Sequence, residues 1–194
     1  PIRRLVEGWS VELIRERVRA AGEAARRAGL PFCLVTEDTT RTPPDVLADL
    51  FAVAIDVGAT RLCLCDTVGH SDPQGGRALV GFTQRTRAEL GAQHVTIDWH
   101  GHDDRGIALG NALTAVDAGV HGVHATAFGI GERSGNVPME HLISQLTACG
   151  VRPPVSERAL AAYRSITARA LRGETAPERA PAPSAPGLRR EGGE

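Results

Sequence analysis

The amino-acid sequence predicts an α/β fold in which parallel strands alternate with helices. Four short apolar runs begin about 30 residues apart, and each is too short for a helix but long enough for a buried strand. They cover residues 32–35, 61–65, 94–99 and 122–127. Strands that alternate with helices at this period are typical of βα units, which build parallel sheets.

Amphipathic segments around these runs predict six helices. They cover residues 10–27, 43–56, 73–90, 106–118, 138–149 and 156–171. Two helix starts carry a clear signal, because Thr42 precedes Pro43-Pro44 and Ser71-Asp72 precedes Pro73. A side-chain oxygen followed by proline in the first turn is favourable at a helix amino terminus.

Four strands and about six helices are half of what a closed βα barrel needs. Such a barrel has eight units and typically about 250 residues. The residues therefore predict either half of a barrel or a small open sheet, with two unpaired edges that favour self-association or a covering partner. We expect this domain to span residues 1–172. In residues 173–194, prolines alternate with Ala, Ser, Arg and Glu, which predicts a disordered Pro/Ala-rich tail.

Composition excludes several classes of function. The chain has 22 basic and 23 acidic residues among 194, a balance that argues against nucleic-acid and membrane-surface binding. No apolar run of about 18 residues and no signal-peptide pattern occurs, so we expect no membrane span. Every basic residue is arginine, which excludes Schiff-base chemistry on lysine. The four cysteines lack CxxC spacing, which gives little support to a zinc knuckle or a thioredoxin motif. We expect a reducing, cytoplasmic location, and Pro1 in place of Met suggests a fragment or a processed chain.

The strongest local signal is a pair of histidines at the carboxyl end of the third predicted strand. His100 and His102 are two residues apart, so on a strand both side chains point to the same face. Two imidazoles directed to one point are what a divalent metal ion requires. The alternative interpretation is a pair of hydrogen-bonded polar side chains.

Polar segments also follow the other three predicted strands. They are TEDTTRT at 36–42, DTVG at 66–69 and the glycine-rich loop GIGERSGN at 129–136. Each has a plainer interpretation, since Asp38 and Thr42 are suited to cap the next helix and many loops between strands and helices are glycine-rich. Because the carboxyl ends of parallel strands gather active-site residues, the coincidence favours one shared site.

Two long motifs carry a resemblance to a known family. HGHDDRGIALGNALTAVDAG at 100–119 and GIGERSGNVPME at 129–140 resemble the second signature of the pyruvate-carboxyltransferase-like (HMG-CoA lyase-like) TIM-barrel enzymes. These include 2-isopropylmalate, homocitrate and citramalate synthases and, more distantly, HMG-CoA lyase. The resemblance extends over about residues 11–170 and includes TEDTTRT and CDTVGHSDP. The GIGERSGN loop is most similar to the synthase branch, because the lyase has a cysteine there and this chain has none between Cys65 and Cys149.

The resemblance implies a site at the carboxyl ends of the barrel strands. His100, His102 and Asn136 match ligands of a divalent metal ion (Mg, Mn or Zn). Glu37 and Thr67 match groups that bind the substrate and take part in catalysis, with Glu37 either the base or an orienting group. Outside this set, Asp66 is a candidate second-shell residue from the resemblance, and His124 is one because it lies in phase with Thr126 on the fourth strand.

The implied reaction is a metal-dependent Claisen condensation of acetyl-CoA with a 2-oxo acid, in which the acyl group becomes alkyl on transfer. The GIGERSGNVPME run favours 2-isopropylmalate synthase and leucine biosynthesis. Homocitrate or citramalate synthase is the alternative within this class, and a lyase or aldolase of the same superfamily is a third.

The sequence departs from the family in two ways. The family's first signature, an Arg-Asp-Gly on the first barrel strand, is absent from this sequence, so the four strands match barrel strands five to eight. The usual His-Asn-Asp is His102-Asp103-Asp104 here, which adds a negative charge near the site. These departures leave open a non-catalytic half-barrel, or one subunit of a split enzyme whose partner supplies the first half of the barrel. A homo-oligomer is expected from the family.

Overall fold

A computed structural model describes residues 1–151 and 155–174 of the chain. Four strands and seven α-helices occur in this part. In chain order they are α1 (Ile2–Val6), α2 (Val11–Arg27), β1 (Phe32–Thr36), α3 (Pro44–Asp56), β2 (Ala59–Asp66), α4 (Pro73–Glu89), β3 (Thr96–Gly101), α5 (Ala108–Asp117), β4 (Gly122–Val123), α6 (Met139–Ala148) and α7 (Glu157–Leu171). The α/β class and the six expected helices are confirmed, and α1 is an additional short helix.

The four strands form one parallel sheet in the order β1-β2-β3-β4. Thr36 at the end of β1 pairs with Leu64 of β2, and Asp66 at the end of β2 pairs with Gly101 of β3. Sequential order with a helix between neighbours is the arrangement of consecutive βα units. All four carboxyl ends therefore lie at one edge of the sheet, which is where the sequence places its polar segments.

The core lies between this sheet and the helices that connect its strands. Its largest fully buried side chains include Trp99 on β3, Phe51 on α3 and Leu62 on β2. Strand β2 is buried over most of its length, as expected for an interior strand of a parallel sheet that is covered by helices.

Two local expectations were wrong. The fourth strand ends at Val123 rather than at residue 127, because Ala127–Gly129 forms a 3-10 turn in which Phe128 has φ of 59°. Thr42 does not cap α3, since its hydroxyl donates to the carbonyl oxygen of Asp38 at 2.8 Å. At α4 the expectation is confirmed, because Asp72 Oδ1 accepts the backbone N–H of Gly75 at 2.7 Å.

The chain divides into two compact units, Pro1–Pro154 and Val155–Glu194. The sheet and helices α1 to α6 belong to the first unit. In the second, the described part holds α7, whose first turn is capped by Ser156 Oγ accepting from the Ala159 N–H at 3.2 Å. The tail expected to be disordered lies outside the described residues from 175 onward. No helix in the described ranges is long and apolar enough to cross a membrane.

Candidate functional site

The two histidines of the strongest motif face each other at the carboxyl end of β3. Their Nε2 atoms are 3.2 Å apart, and the rings meet edge to face with centroids 4.8 Å apart. The i, i+2 spacing on a strand produces this geometry, as the sequence predicted. The backbone N–H of His102 donates to the carbonyl oxygen of Asp66 at 3.2 Å, which fixes this strand end against β2.

Hydrogen bonding determines which nitrogen of His102 carries the proton. Nδ1 lies 3.2 Å from the carbonyl oxygen of Gly135. Because a carbonyl oxygen can only accept, Nδ1 is the protonated nitrogen in the neutral ring. Nε2 of His102 is then unprotonated, and its lone pair can accept a hydrogen bond from His100 Nε2, 3.2 Å away.

His100 is neutral at physiological pH. Burial, and then the nearby positive charges of His102 and His124 when they are protonated, lower the pKa of His100 to about 4. Its Nδ1 is buried and has no hydrogen-bond partner among the described residues. A neutral imidazole is the form that binds a metal ion.

Asn136 is the third candidate ligand, and its backbone lies beside that of His102. It pairs with His102 in an isolated antiparallel bridge, and its Nδ2 donates to the carbonyl oxygen of Ile130 at 3.0 Å. Its Oδ1 is buried and without a hydrogen-bond partner in the part of the chain that the structure describes. An unsatisfied buried oxygen is costly unless something binds there.

The donor set fits a divalent cation in part. Two imidazole nitrogens and an amide oxygen are suitable ligands, and the unpartnered Asn136 Oδ1 is the observation that favours an ion. Within residues 1–151 and 155–174, however, no group of three or more His, Cys, Asp or Glu side chains is placed to hold a metal. The nearest carboxylate to His102 Nε2 is Glu132 Oε1 at 3.7 Å, on a side chain that is 64% exposed.

Thr67 and Asp38 join the ends of β1 and β2. The backbone N–H of Asp38 donates to Thr67 Oγ1 at 2.7 Å. Asp38 is fully buried, has φ of 60° and binds Arg41 through both carboxylate oxygens, at 2.6 and 2.9 Å. The interpretation of Asp38 as a helix cap was therefore wrong, since its carboxylate forms a buried ion pair. Because Thr67 Oγ1 is used as an acceptor, its own proton remains available to donate.

Glu37 and Asp66 take different positions. Glu37 forms an ion pair with Arg3 Nε at 2.8 Å and lines a groove of about 990 Å³ between α1, α2 and β1. No hydrogen bond or ion pair joins it to His100 or His102 in the described structure. Asp66 is buried, and its carboxylate accepts from Thr40 Oγ1 at 2.8 Å and from the backbone of the loop that follows. Asp66 thus shapes the loop and contacts the histidine pair only through its backbone.

His124 lies beside His100, with its side chain 46% exposed. The two ring centroids are 5.5 Å apart, while His124 Nε2 is 3.5 Å from Asp98 Oδ2 and Nδ1 is 3.9 Å from Cys63 Sγ. The Cys63 thiol and then Asp98 raise the pKa of His124. The Cys63 thiol is buried and hydrogen-bonded to Cys65, which raises the pKa of Cys63.

Two residues near the site were not recognised from the sequence as important, namely Asp104 and Arg133. Arg133 binds both carboxylate oxygens of Asp104, at 2.8 and 3.0 Å. This pair holds the pKa of Asp104 below its usual range. Asp103, which replaces the family's usual Asn, has a local role: its Oδ1 accepts from the Ala108 N–H at the start of α5, at 2.8 Å.

Comparison with known proteins agrees with this fold. The family model HMGL-like matches residues 3–166. A sheet of consecutive parallel βα units, each strand followed by a helix, defines the class of the protein as an α/β barrel of the TIM type or a part of one. The chain belongs to the HMGL-like family.

Two curated relatives are about 40% identical over part of the chain. The 2-isopropylmalate synthase of Sediminispirochaeta smaragdinae is 42% identical over 110 residues, which are 57% of this chain and 22% of the relative. A protein of Methanopyrus kandleri, provisionally named (R)-citramalate synthase, is 40% identical over 132 residues, which are 68% and 25% of the two chains. The chain thus spans about a quarter of the length of the curated relatives that it matches.

Solved structures share the fold. HMG-CoA lyase from Bacillus subtilis superposes with a TM-score of 0.73 at 22% identity, covering 91% of this chain and 61% of the lyase. The lyase from Pseudomonas aeruginosa gives a TM-score of 0.74 at 20% identity, with 90% and 60% coverage. These likenesses confirm the TIM-barrel type of the βα units.

Proposed function

We propose that this chain carries one half of the active site of a metal-dependent enzyme that condenses acetyl-CoA with a 2-oxo acid. The observation that carries the proposal is the convergence of His100 Nε2 and His102 Nε2, 3.2 Å apart, with Asn136 in a backbone bridge to His102 and its Oδ1 buried and unpartnered among the described residues. The similarity to 2-isopropylmalate and citramalate synthases supports the reaction class.

His100, His102 and Asn136 are the residues that would hold a divalent ion, Mg, Mn or Zn. When bound, such an ion supplies Lewis-acid polarisation of the ketone of the 2-oxo acid. The protein's part is to keep both imidazoles neutral. Burial does so for His100, whose pKa is about 4, and the Gly135 carbonyl oxygen directs the proton of His102 to Nδ1.

Thr67 and Glu37 are the proposed substrate-contacting residues. The hydroxyl of Thr67 accepts from Asp38 and therefore directs its proton outward, where it can donate to a carboxylate or ketone oxygen of the 2-oxo acid. The Glu37 carboxylate takes a proton from the methyl group of acetyl-CoA, the resulting enolate carbon bonds to the ketone carbon, and the ketone oxygen takes up a proton. Water then cleaves the thioester, which releases CoA. As base, Glu37 must leave its ion pair with Arg3.

Of the members of this class, we favour 2-isopropylmalate synthase and hence a role in leucine biosynthesis. The similarity to the Methanopyrus kandleri relative favours citramalate synthase as a second candidate. The two differ in the 2-oxo acid, since isopropylmalate derives from 2-oxoisovalerate and citramalate from pyruvate. The four free cysteines support the proposed cytoplasmic location.

The other half of the site, with its Arg-Asp-Gly, would be supplied by further βα units that pair with the edges of β1 and β4. We propose that these belong to a partner that carries the first half of the barrel, since this chain contains no Arg-Asp-Gly and a homo-oligomer of it would not supply one. A homo-oligomer, which the family resemblance implies, is the alternative assembly. On this proposal, β1 to β4 are strands five to eight of the barrel. The domain that contains them spans residues 1–172.

The test is CoA release from acetyl-CoA, measured with a thiol reagent in the presence of Mn²⁺. The chain is mixed with the amino-terminal half of a 2-isopropylmalate synthase barrel, which supplies Arg-Asp-Gly, and is given either 2-oxoisovalerate or pyruvate. We expect release that needs both halves and that favours 2-oxoisovalerate. Glu37→Gln should lower kcat by at least about a hundredfold. Release that is equal in Glu37→Gln and in the unchanged chain would remove Glu37 from the mechanism, and no release with any mixture would contradict the proposed reaction.

A further inference from the structure

One side chain, Arg133, fixes the loop of residues 129–136 to the sheet. Its guanidinium donates to both carboxylate oxygens of Asp104, at 2.8 and 3.0 Å. It also donates to Glu132 at 2.5 Å and to the carbonyl oxygen of Thr67. Because Thr67 follows β2, Asp104 follows β3 and Arg133 follows β4, this one group joins three strand ends.

The loop has little freedom to rearrange around Arg133. Arg133 itself has φ of 51°, a left-handed conformation that costs free energy in a non-glycine residue and persists where the surroundings impose it. A Cβ atom added at Gly135 would lie 2.2 Å from the carbonyl oxygen of Gly129, and one at Gly131 would lie 2.1 Å from Asn136 Nδ2. The loop is therefore tightly packed on itself.

The position of this loop decides which ring nitrogen of His102 carries the proton. The carbonyl oxygen of Gly135 accepts from His102 Nδ1 at 3.2 Å and from the backbone N–H of Asp103 at 3.0 Å. Only one residue, Ser134, lies between Arg133 and Gly135. The Gly135 carbonyl oxygen is the hydrogen-bond partner of His102 Nδ1, so losing it would remove the bond that favours the proton on that nitrogen.

We propose that Arg133 is a positioning residue that, by binding Asp104, holds the Gly135 carbonyl against His102 and so keeps Nε2 of His102 unprotonated. The inference rests on the proposed function in one respect, because His102 is one of the proposed metal ligands. Hydrogen-bond partners that orient a metal-binding histidine are worth about tenfold to a hundredfold in metal affinity.

The test compares the full chain with Arg133→Gln and Asp104→Asn, which remove the ion pair from either side. The first readout is the pair of imidazole ¹⁵N chemical shifts of His102 without metal, and the second is the Kd for Mn²⁺. We expect the unchanged chain to show a proton on Nδ1, both variants to show a mixture of tautomers, and their Kd to rise about tenfold to a hundredfold. Arg77→Gln is the matched control, because Arg77 forms an ion pair of the same kind with Asp117 at 2.5 Å, between α4 and α5. It should change neither readout.

An unchanged His102 tautomer in a folded Arg133→Gln or Asp104→Asn variant, with folding checked by circular dichroism, would overturn the inference whether or not Mn²⁺ binds. If the unchanged chain binds no Mn²⁺ while the tautomer still shifts in the variants, the positioning role stands and the proposed metal site fails. The two failures are thus distinguishable. A loss of Nδ1 protonation in Arg77→Gln as well would also overturn it, since the effect would not be specific to this ion pair.

Discussion

At the scale of single residues, the site is built from neutral donors. His100 is kept uncharged by burial and by its histidine neighbours, and Asn136 contributes an amide oxygen rather than a carboxylate. A pair of imidazoles with Nε2 atoms 3.2 Å apart is unfavourable if both are protonated, since like charges at that separation repel. The arrangement therefore favours either one shared proton or a bound cation.

This charge state gives a pH-dependent prediction for His100. Its pKa of about 4 in the folded chain lies below the usual value of 6.5. The unfolded chain therefore binds the additional proton between these two pH values, and the free energy of unfolding falls as the pH falls through that window. An NMR titration of the His100 ring protons should show a midpoint near pH 4. In His102→Ala the midpoint should rise, although burial keeps it below the usual value.

A midpoint for His100 near 6.5 in the unchanged chain would contradict this account.

At the scale of elements, the loops that follow the strands contain backbone conformations that few residues adopt. Asp38, Phe128 and Arg133 have positive φ in the loops after β1 and β4. Gly135 is the most constrained glycine of the last loop, with φ of 97° and the Gly129 carbonyl oxygen directly behind it. The geometry around His102 thus depends on elements that lie outside the strands.

Gly135→Ala should therefore lower the free energy of unfolding by more than the left-handed backbone conformation alone accounts for. Its added methyl would lie 2.2 Å from the Gly129 oxygen, whereas Gly91→Ala, at φ of 68°, would meet nothing within 4 Å. Left-handed backbone costs an alanine about 1–2 kcal/mol, so Gly91→Ala measures that part and Gly135→Ala should exceed it by at least about 1 kcal/mol. Urea unfolding of both variants checks this difference. Equal losses of unfolding free energy in the two variants would show that the loop adjusts freely to the added methyl group.

At the scale of the whole molecule, stability resides in the sheet and the helices that cover it. Phe51, Trp99 and Leu62 are fully buried, while no residue of α7 is buried. The Pro1–Pro154 unit therefore contains the described hydrophobic core.

Phe51→Ala should lower the free energy of unfolding by about 3–5 kcal/mol, because it removes a buried ring and leaves a cavity. The control is Ile166→Ala on α7, whose side chain is 61% exposed and whose loss should cost about 0.5 kcal/mol or less. Chemical denaturation followed by circular dichroism measures both. A larger loss of unfolding free energy in Ile166→Ala than in Phe51→Ala would show that the core lies elsewhere.

Much of this architecture could be predicted from the sequence, because it depends on local patterns. Strand and helix periodicity predicted the order of β1 to β4, and the two-residue period placed His100 and His102 on one face. The roles of Asp38 and Arg133 could not be predicted in this way. Their left-handed conformations have no glycine to signal them, and Arg133 contacts Asp104 and Thr67, which lie 29 and 66 residues away in the sequence. The early end of β4 could not be predicted for the same reason, since it follows from the turn at Phe128, another non-glycine residue with a left-handed conformation.

Calorimetric titration of the purified chain with Mn²⁺ at pH 7 shows whether His100, His102 and Asn136 hold a divalent ion. The double variant His100→Ala/His102→Ala removes both imidazoles, and His94→Ala is the control for loss of an exposed histidine. We predict one bound ion per chain, a Kd unchanged in His94→Ala, and binding weaker by at least about a hundredfold in the double variant. Absence of binding, or binding of equal strength in the double variant, would contradict the account.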